Sequence, residues 1–303
     1  MKLFFFLIAL SASFISFAQD SANYSKSEII YGRKDGMALT MIKLLPKENV
    51  KGKAIMSLVS GNWISNYNMS QRFMTYAEHF VKSGYTVFLV MHGSQPRYSI
   101  TDETEDIKRA VRFIRYNAKE YGIDPDHIGI TGSSSGGHLS LMTALAEDKM
   151  YISARDPIDR VSSRVQAAAV FFPPTDFLNW GRENSGMNRQ AITRAGVAGA
   201  FDFKKQNDTT RLYERITGED MIKKIGMNMS PVNNVSNDDP PVFIAHGDAD
   251  PVVPLQQSEV LIKKLKEAGV PNELYIHPGG GHGWSNSDLE HQKFIAWFDK
   301  FLK

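Results

Sequence analysis

The chain predicts an α/β fold: a mostly parallel sheet with helices on both faces. Three observations predict it. Short apolar runs alternate with helix-length amphipathic segments along most of the sequence. The apolar runs are continuous rather than alternating, as in strands buried on both faces. The runs end at Gly or polar loop residues, so parallel strands would deliver their loops to one edge.

The elements follow in order. "KAIMSLVSG" (53–61) is a strand ending at Gly, and "SQRFMTYAEHFVKSG" (70–84) is a helix with Phe73, Ala77, Phe80 and Val81 on one face. "YTVFLVMHG" (85–93) is a β-branched, buried strand. The next helix gathers Asp102, Glu103, Glu105 and Asp106 at its start, where negative charge suits the dipole, and carries a stripe of Ile107, Ala110, Val111, Ile114 and Ala118. "HIGITG", "GGHLSLMTALAED" and "RVQAAAVFF" repeat strand, helix, strand. "PPVFIAHG", "PLQQSEVLIKKLKEAG", "NELYIHPG" and "LEHQKFIAWFDKFL" close the chain with two more pairs. Residues 174–236 break the pattern with polar and Gly positions and no clear strand, and read as a lid or cap inserted over one end of the sheet.

The first eighteen residues, "MKLFFFLIALSASFISFA", carry one Lys, an apolar stretch and small residues Ser16 and Ala18 at signal-peptidase spacing. The expectation is a cleaved signal peptide (1–18), a domain over 19–303, and a periplasmic or secreted protein. Ser11, Ser13 and Ser16 interrupt the apolar stretch, which argues against a membrane anchor of about 20 apolar residues. The 303 residues hold no Cys, which excludes disulfides and thiolate chemistry. A net charge of +2, from 35 basic and 33 acidic residues, gives no reason to expect nucleic acid or an anionic membrane as partner and fixes no oligomeric state.

Chemistry enters at "ITGSSSGGHL" (130–139), a strand, a Gly-rich turn and a helix start. A nucleophile elbow needs that context, with small residues two before and two after the nucleophile. Ser134 has Gly132 and Gly136 there, whereas Ser133 has Thr131 and Ser135, and Ser135 has Ser133 and Gly137. Ser134 is therefore the candidate nucleophile, and the backbone N–H of Ser135 a candidate oxyanion donor. A serine hydroxyl needs a general base, itself oriented by an acid. "IAHGDADPVVP" offers Asp250, with Asp248 as the alternative. "IHPGGGHGW" offers His282 in a Gly-rich loop, with His277 nearer the strand and structural. Both loops follow strands, and the order Ser, Asp, His is that of α/β-hydrolases. His92, His138 and His246 read as packing or turn residues. No HExxH or clustered ligand pattern points to a metal. The second oxyanion donor is expected in "SGNWIS", with Asn62 as the candidate and Gly61 or Trp63 as alternatives.

"GSSSGG", "HGDADPVVP" and "GGGHGW" resemble the α/β-hydrolase superfamily, particularly its dienelactone-hydrolase, prolyl-oligopeptidase-like and carbohydrate-esterase branches. The resemblance implies an eight-stranded sheet and a Ser134, Asp250, His282 triad working through an acyl-enzyme without a cofactor. The stretch Ser60-Gly61-Asn62-Trp63 departs from the His-Gly-Gly-Gly of many relatives. Trp63, Trp180 and Trp284 fall in loops that could wall a pocket for sugar rings or aromatic acyl groups. The expected partner is a small-molecule or oligosaccharide ester, of the acetyl xylan or feruloyl kind. A prolyl-oligopeptidase-like peptidase is the alternative reading, and a non-catalytic binding protein the lesser one.

Overall fold

A computed structural model describes residues 23–183, 185–186 and 189–303. The expected signal peptide and its cleavage after Ala18 lie outside the described residues. In chain order the strands of the main sheet are β1 (Tyr24–Lys34), β2 (Met37–Pro46), β3 (Ala54–Leu58), β4 (Thr86–Val90), β5 (Ile128–Ser133) and β6 (Ala167–Phe171). After an insertion come β9 (Val242–Gly247) and β10 (Asn272–His277). The insertion itself carries a two-stranded ribbon, β7 (Lys204–Gln206) and β8 (Tyr213–Arg215). The helices are α1 (Ser70–Lys82), α2 (Ile100–Tyr116), α3 (Ala118–Tyr121), α4 (Ser135–Leu145), α5 (Arg189–Arg194), α6 (Glu219–Asn228), α7 (Gln256–Glu267) and α8 (Asp288–Phe301).

The eight main strands lie in the order β1-β2-β4-β3-β5-β6-β9-β10, with β1 and β2 antiparallel at one edge and the other six parallel. Side chains in a strand alternate faces. In β6, Ala168 and Val170 join one core while Ala167, Ala169 and Phe171 join the other, and β4 divides Phe88 and Val90 from Val87 and Leu89 in the same way. The first core is closed by α2, α4 and α7, through residues such as Ile107, Val111, Leu139 and Leu261. The second is closed by α1 and α8, through Phe73, Phe80, Phe294 and Phe298. No helix among the described residues is long and apolar enough to cross a membrane.

The structure corrects the sequence reading at two elements. Of the acidic residues expected to decorate the start of α2, Glu103 and Asp106 are buried. Asp102 alone among the four caps the helix, accepting the Ser99 N–H at 2.9 Å. Residues 174–236 do contain strand, the β7–β8 ribbon. That segment is also tied down at its root, where the Thr175 and Asp176 N–H groups donate to the Gln257 amide at 2.9 and 2.7 Å.

Candidate active site

Because β3, β4, β5, β9 and β10 are parallel, the loops that follow them open on one edge of the sheet. Ser134 stands between β5 and α4 with φ +53° and ψ −121°, a conformation L-residues avoid, and so presents its hydroxyl at the top of the turn. The turn is this tight because glycines flank it. A Cβ on Gly132 would lie 2.5 Å from the Gly136 backbone. Ser134 N–H donates to the Phe171 carbonyl at 3.0 Å, pinning the elbow to β6.

Ser134 Oγ is 2.9 Å from His282 Nε2, and His282 Nδ1 is 2.8 Å from Asp250 Oδ2. The other oxygen of Asp250 accepts the N–H groups of Val252 and Val253 at 2.8 and 2.9 Å. Burial opposes ionisation of Asp250. Hydrogen bonding from His246, His282 and those two N–H groups outweighs it and holds the carboxyl well below the usual carboxylate range. An ionised Asp250 fixes the tautomer in which His282 Nε2 is the acceptor facing Ser134.

Asp248 does not reach His282. Its Oδ1 accepts the Gly279 N–H at 2.7 Å, fastening the acid loop to the base loop. His277 is likewise removed from the reaction centre, bonded through Nδ1 to Glu290 at 2.8 Å and stacked on Trp284 with ring centroids 4.4 Å apart. Ser135 opens α4, where backbone N–H groups lack intrahelical partners, and its hydroxyl meets that of Ser60 at 3.1 Å. Asn62 sits across from it in a loop closed by two backbone hydrogen bonds between Gly61 and Ile64. Neither the Asn62 N–H nor the Ser135 N–H has a partner among the described residues.

A cavity of about 660 Å³ opens beside Ser134, lined among others by Asn62, Phe73, Tyr76, Phe172, His282 and Trp284. Of the three tryptophans expected to face a pocket, only Trp284 lines it. Trp63 is buried, 4% exposed, and donates its indole N–H to His138 Nδ1 at 3.2 Å. Its ring packs on Phe177 and Phe201 of the insertion. Trp180 packs against the core under the insertion and lies outside the cavity. Hydrogen bonding to His138 and packing on the insertion claimed the Trp63 indole, and core packing the Trp180 one.

The sequence reading missed three supporting residues. Phe172, at φ +35°, packs on the His282 ring with centroids 4.6 Å apart. His246 is fully buried, with Nδ1 2.6 Å from Ser258 Oγ. Its Nε2 is 2.9 Å from the Val253 carbonyl and 3.4 Å from Asp250 Oδ2. It thereby braces the turn that presents the acid. Gln95, in the loop after β4, donates through Nε2 to the Asn62 carbonyl at 2.7 Å. The "AHG" ending of β9 was the available signal for His246; Phe172 and Gln95 carried none.

The BD-FAE family model matches residues 42–265, which spans the elbow and the acid loop. The chain belongs to the BD-FAE family. Among its relatives, the probable carboxylic ester hydrolase LipM of Mycobacterium tuberculosis is 29% identical over 197 residues, covering 65% of this chain and 41% of LipM. Endo-1,4-beta-xylanase B of Butyrivibrio fibrisolvens is 25% identical over 277 residues, 90% of this chain and 39% of that protein. This BD-FAE chain thus spans less than half the length of these two curated relatives. A solved truncated form of a carbohydrate esterase from gut microbiota superposes with a TM-score of 0.74 at 26% identity, covering 92% of this chain and 97% of that one. The architecture is the α/β-hydrolase fold of esterases.

Proposed function

We propose that the protein is an exported serine ester hydrolase that removes acyl groups from carbohydrate esters, with a preference for aromatic acyl groups of the feruloyl kind. The observation that carries this reading is the unbroken chain Asp250, His282, Ser134 opening on an aromatic-walled cavity. His282 Nε2 takes the proton as Ser134 Oγ attacks the ester carbonyl. The tetrahedral oxyanion is received by the N–H groups of Ser135 and Asn62, left free for it. The alcohol departs with the proton from His282, leaving an acyl group on Ser134. Water then repeats the sequence on the acyl-enzyme, with His282 again as base.

The walls favour an aromatic acyl group. Phe73, Tyr76, Phe172 and Trp284 are flat apolar faces, and an acetyl group alone would leave most of the 660 Å³ to water. Relatives that include a xylanase and a carbohydrate esterase support a carbohydrate alcohol. The leader-like first eighteen residues support export.

The test is a panel of feruloylated and acetylated xylo-oligosaccharides, with 4-nitrophenyl acetate and a proline-containing amide, assayed on wild type and Ser134→Ala. The expected result is ester turnover that falls by about 10⁶-fold in the variant, with kcat/KM higher for the feruloyl than for the acetyl ester. Wild-type rates no greater than those of Ser134→Ala would sink the hydrolase reading. Amide cleavage exceeding ester cleavage would replace it with a peptidase.

A further inference from the structure

Two consecutive non-glycine residues of the oxyanion loop, Asn62 and Trp63, hold left-handed backbone at φ +54° and +56°. Such a pair persists only where its surroundings over-determine it. The surroundings here are two side chains that each join this loop to the 174–236 insertion.

The first is Gln95. Its Nε2 donates to the Asn62 carbonyl at 2.7 Å and to the Gly196 carbonyl at 3.0 Å, while its backbone N–H donates to the Trp63 carbonyl at 3.1 Å. The neighbouring Pro96 is seated so closely on the insertion that a Cβ on Gly199 would lie 2.6 Å from its Cα.

The second is His138. Its Nδ1 accepts the Trp63 indole N–H at 3.2 Å and its Nε2 is 2.8 Å from the Met229 carbonyl. This arrangement requires a neutral imidazole with the proton on Nε2. Burial lowers the His138 pKa to about 4, keeping the ring neutral over the ordinary range. The two relays thus run from adjacent loop residues to two points of the insertion, Gly196 and Met229.

The peptides they orient are those of the candidate oxyanion hole. Gly61 O is taken by the Ile64 N–H at 2.9 Å, so the Asn62 N–H, opposite to it in the same peptide, faces away from Ile64. The next peptide is held by Gln95 through the Asn62 carbonyl. We propose that Gln95 and His138 are positioning residues, through which the insertion works as a strut that holds the oxyanion loop in its strained, donor-ready conformation rather than as a free lid. This rests on the serine-hydrolase reading above.

The test uses Gln95→Met, which keeps side-chain length and removes both side-chain donors, and Trp63→Phe, which keeps an aromatic ring and removes the N–H given to His138 along with part of the indole's packing. Rates are normalised to active sites titrated with a fluorophosphonate. Each variant is expected to lose 10- to 100-fold in kcat on 4-nitrophenyl acetate with KM within about twofold, below the roughly 10²- to 10³-fold of losing a donor outright. Affinity for a boronic acid, whose adduct on Ser134 is tetrahedral, should fall in parallel while ferulate binding is retained. His138→Asn, which keeps an acceptor and a donor, should recover part of the rate that His138→Phe loses. Full kcat per titrated site in Gln95→Met and Trp63→Phe would overturn the proposal, as would equal losses of boronate and ferulate binding. Should Gln95→Met not fold, Trp63→Phe and the His138 pair decide the question alone. Absence of ester turnover in the wild type would instead refute the underlying hydrolase reading.

Discussion

At the residue scale, the site depends on a few groups in states they would not adopt in water. Ser134 holds a left-handed backbone, and the Asp250 side chain is shielded from solvent yet ionised because four donors face it. Asp250→Asn should lower kcat by about 10⁴-fold with the fold intact, because the amide no longer selects the productive His282 tautomer. The same variant carries a pH signature. A carboxyl with a depressed folded-state pKa contributes stability that is present above its unfolded value, near 3.8, and is lost as pH falls through the folded one. Urea denaturation should therefore show the stability gap between wild type and Asp250→Asn narrowing as pH falls below about 4; a gap independent of pH would contradict it. Ser134, Asp250 and His282 could be read from the sequence because elbow geometry and chain order are local or ordinal properties. His246, Phe172 and Gln95 could not, since each gains its meaning from a partner the fold delivers. Trp63 misled for the same reason: a tryptophan beside a glycine loop faces a pocket or a core according to neighbours such as His138, far off in the chain.

At the element scale, the buried strands and amphipathic helices were legible because their periodicity is continuous, and their ends fell within a few residues of the observed ones. The β1–β2 hairpin went unread, although Asp35-Gly36, with φ +48° and +79°, is a recognised hairpin turn signal between its strands. The α2 helix shows where charge counting fails. Glu103 points into the molecule behind the loop after β4, with neither oxygen in hydrogen-bond geometry and His92 Nδ1 3.6 Å away. Burial pushes its carboxyl up to about 10, helped by Asp106 and Asp102 and opposed by Lys34. Burial likewise lowers His92 to about 4, so both members of the pair are neutral at ordinary pH. A raised folded-state pKa means that the contribution of Glu103 to stability is full below its ordinary value and is lost as pH rises through the folded one. Glu103→Gln removes that loss, so its melting temperature relative to wild type should rise between about pH 5 and pH 9. Parallel melting curves across that range would show that Glu103 is not protonated in the fold.

At the scale of the whole molecule, the parallel sheet explains why residues from three distant segments meet. β5, β9 and β10 run in one direction, so their following loops carry Ser134, Asp250 and His282 to one edge, as the order of strands and turns already implied. What the sequence pattern could not supply was the insertion's role, because its packing on Trp63 and its bonds to Gln95 and His138 are all long-range. The central claim is that this convergence makes one serine among three adjacent ones, Ser134, uniquely nucleophilic. The most direct measurement is peptide mapping by mass spectrometry after brief reaction with a fluorophosphonate, in wild type and in His282→Ala. The account predicts a single phosphonyl adduct on Ser134 in wild type and strongly slowed labelling in the variant. Labelling of Ser133 or Ser135, or equal labelling without His282, would contradict it.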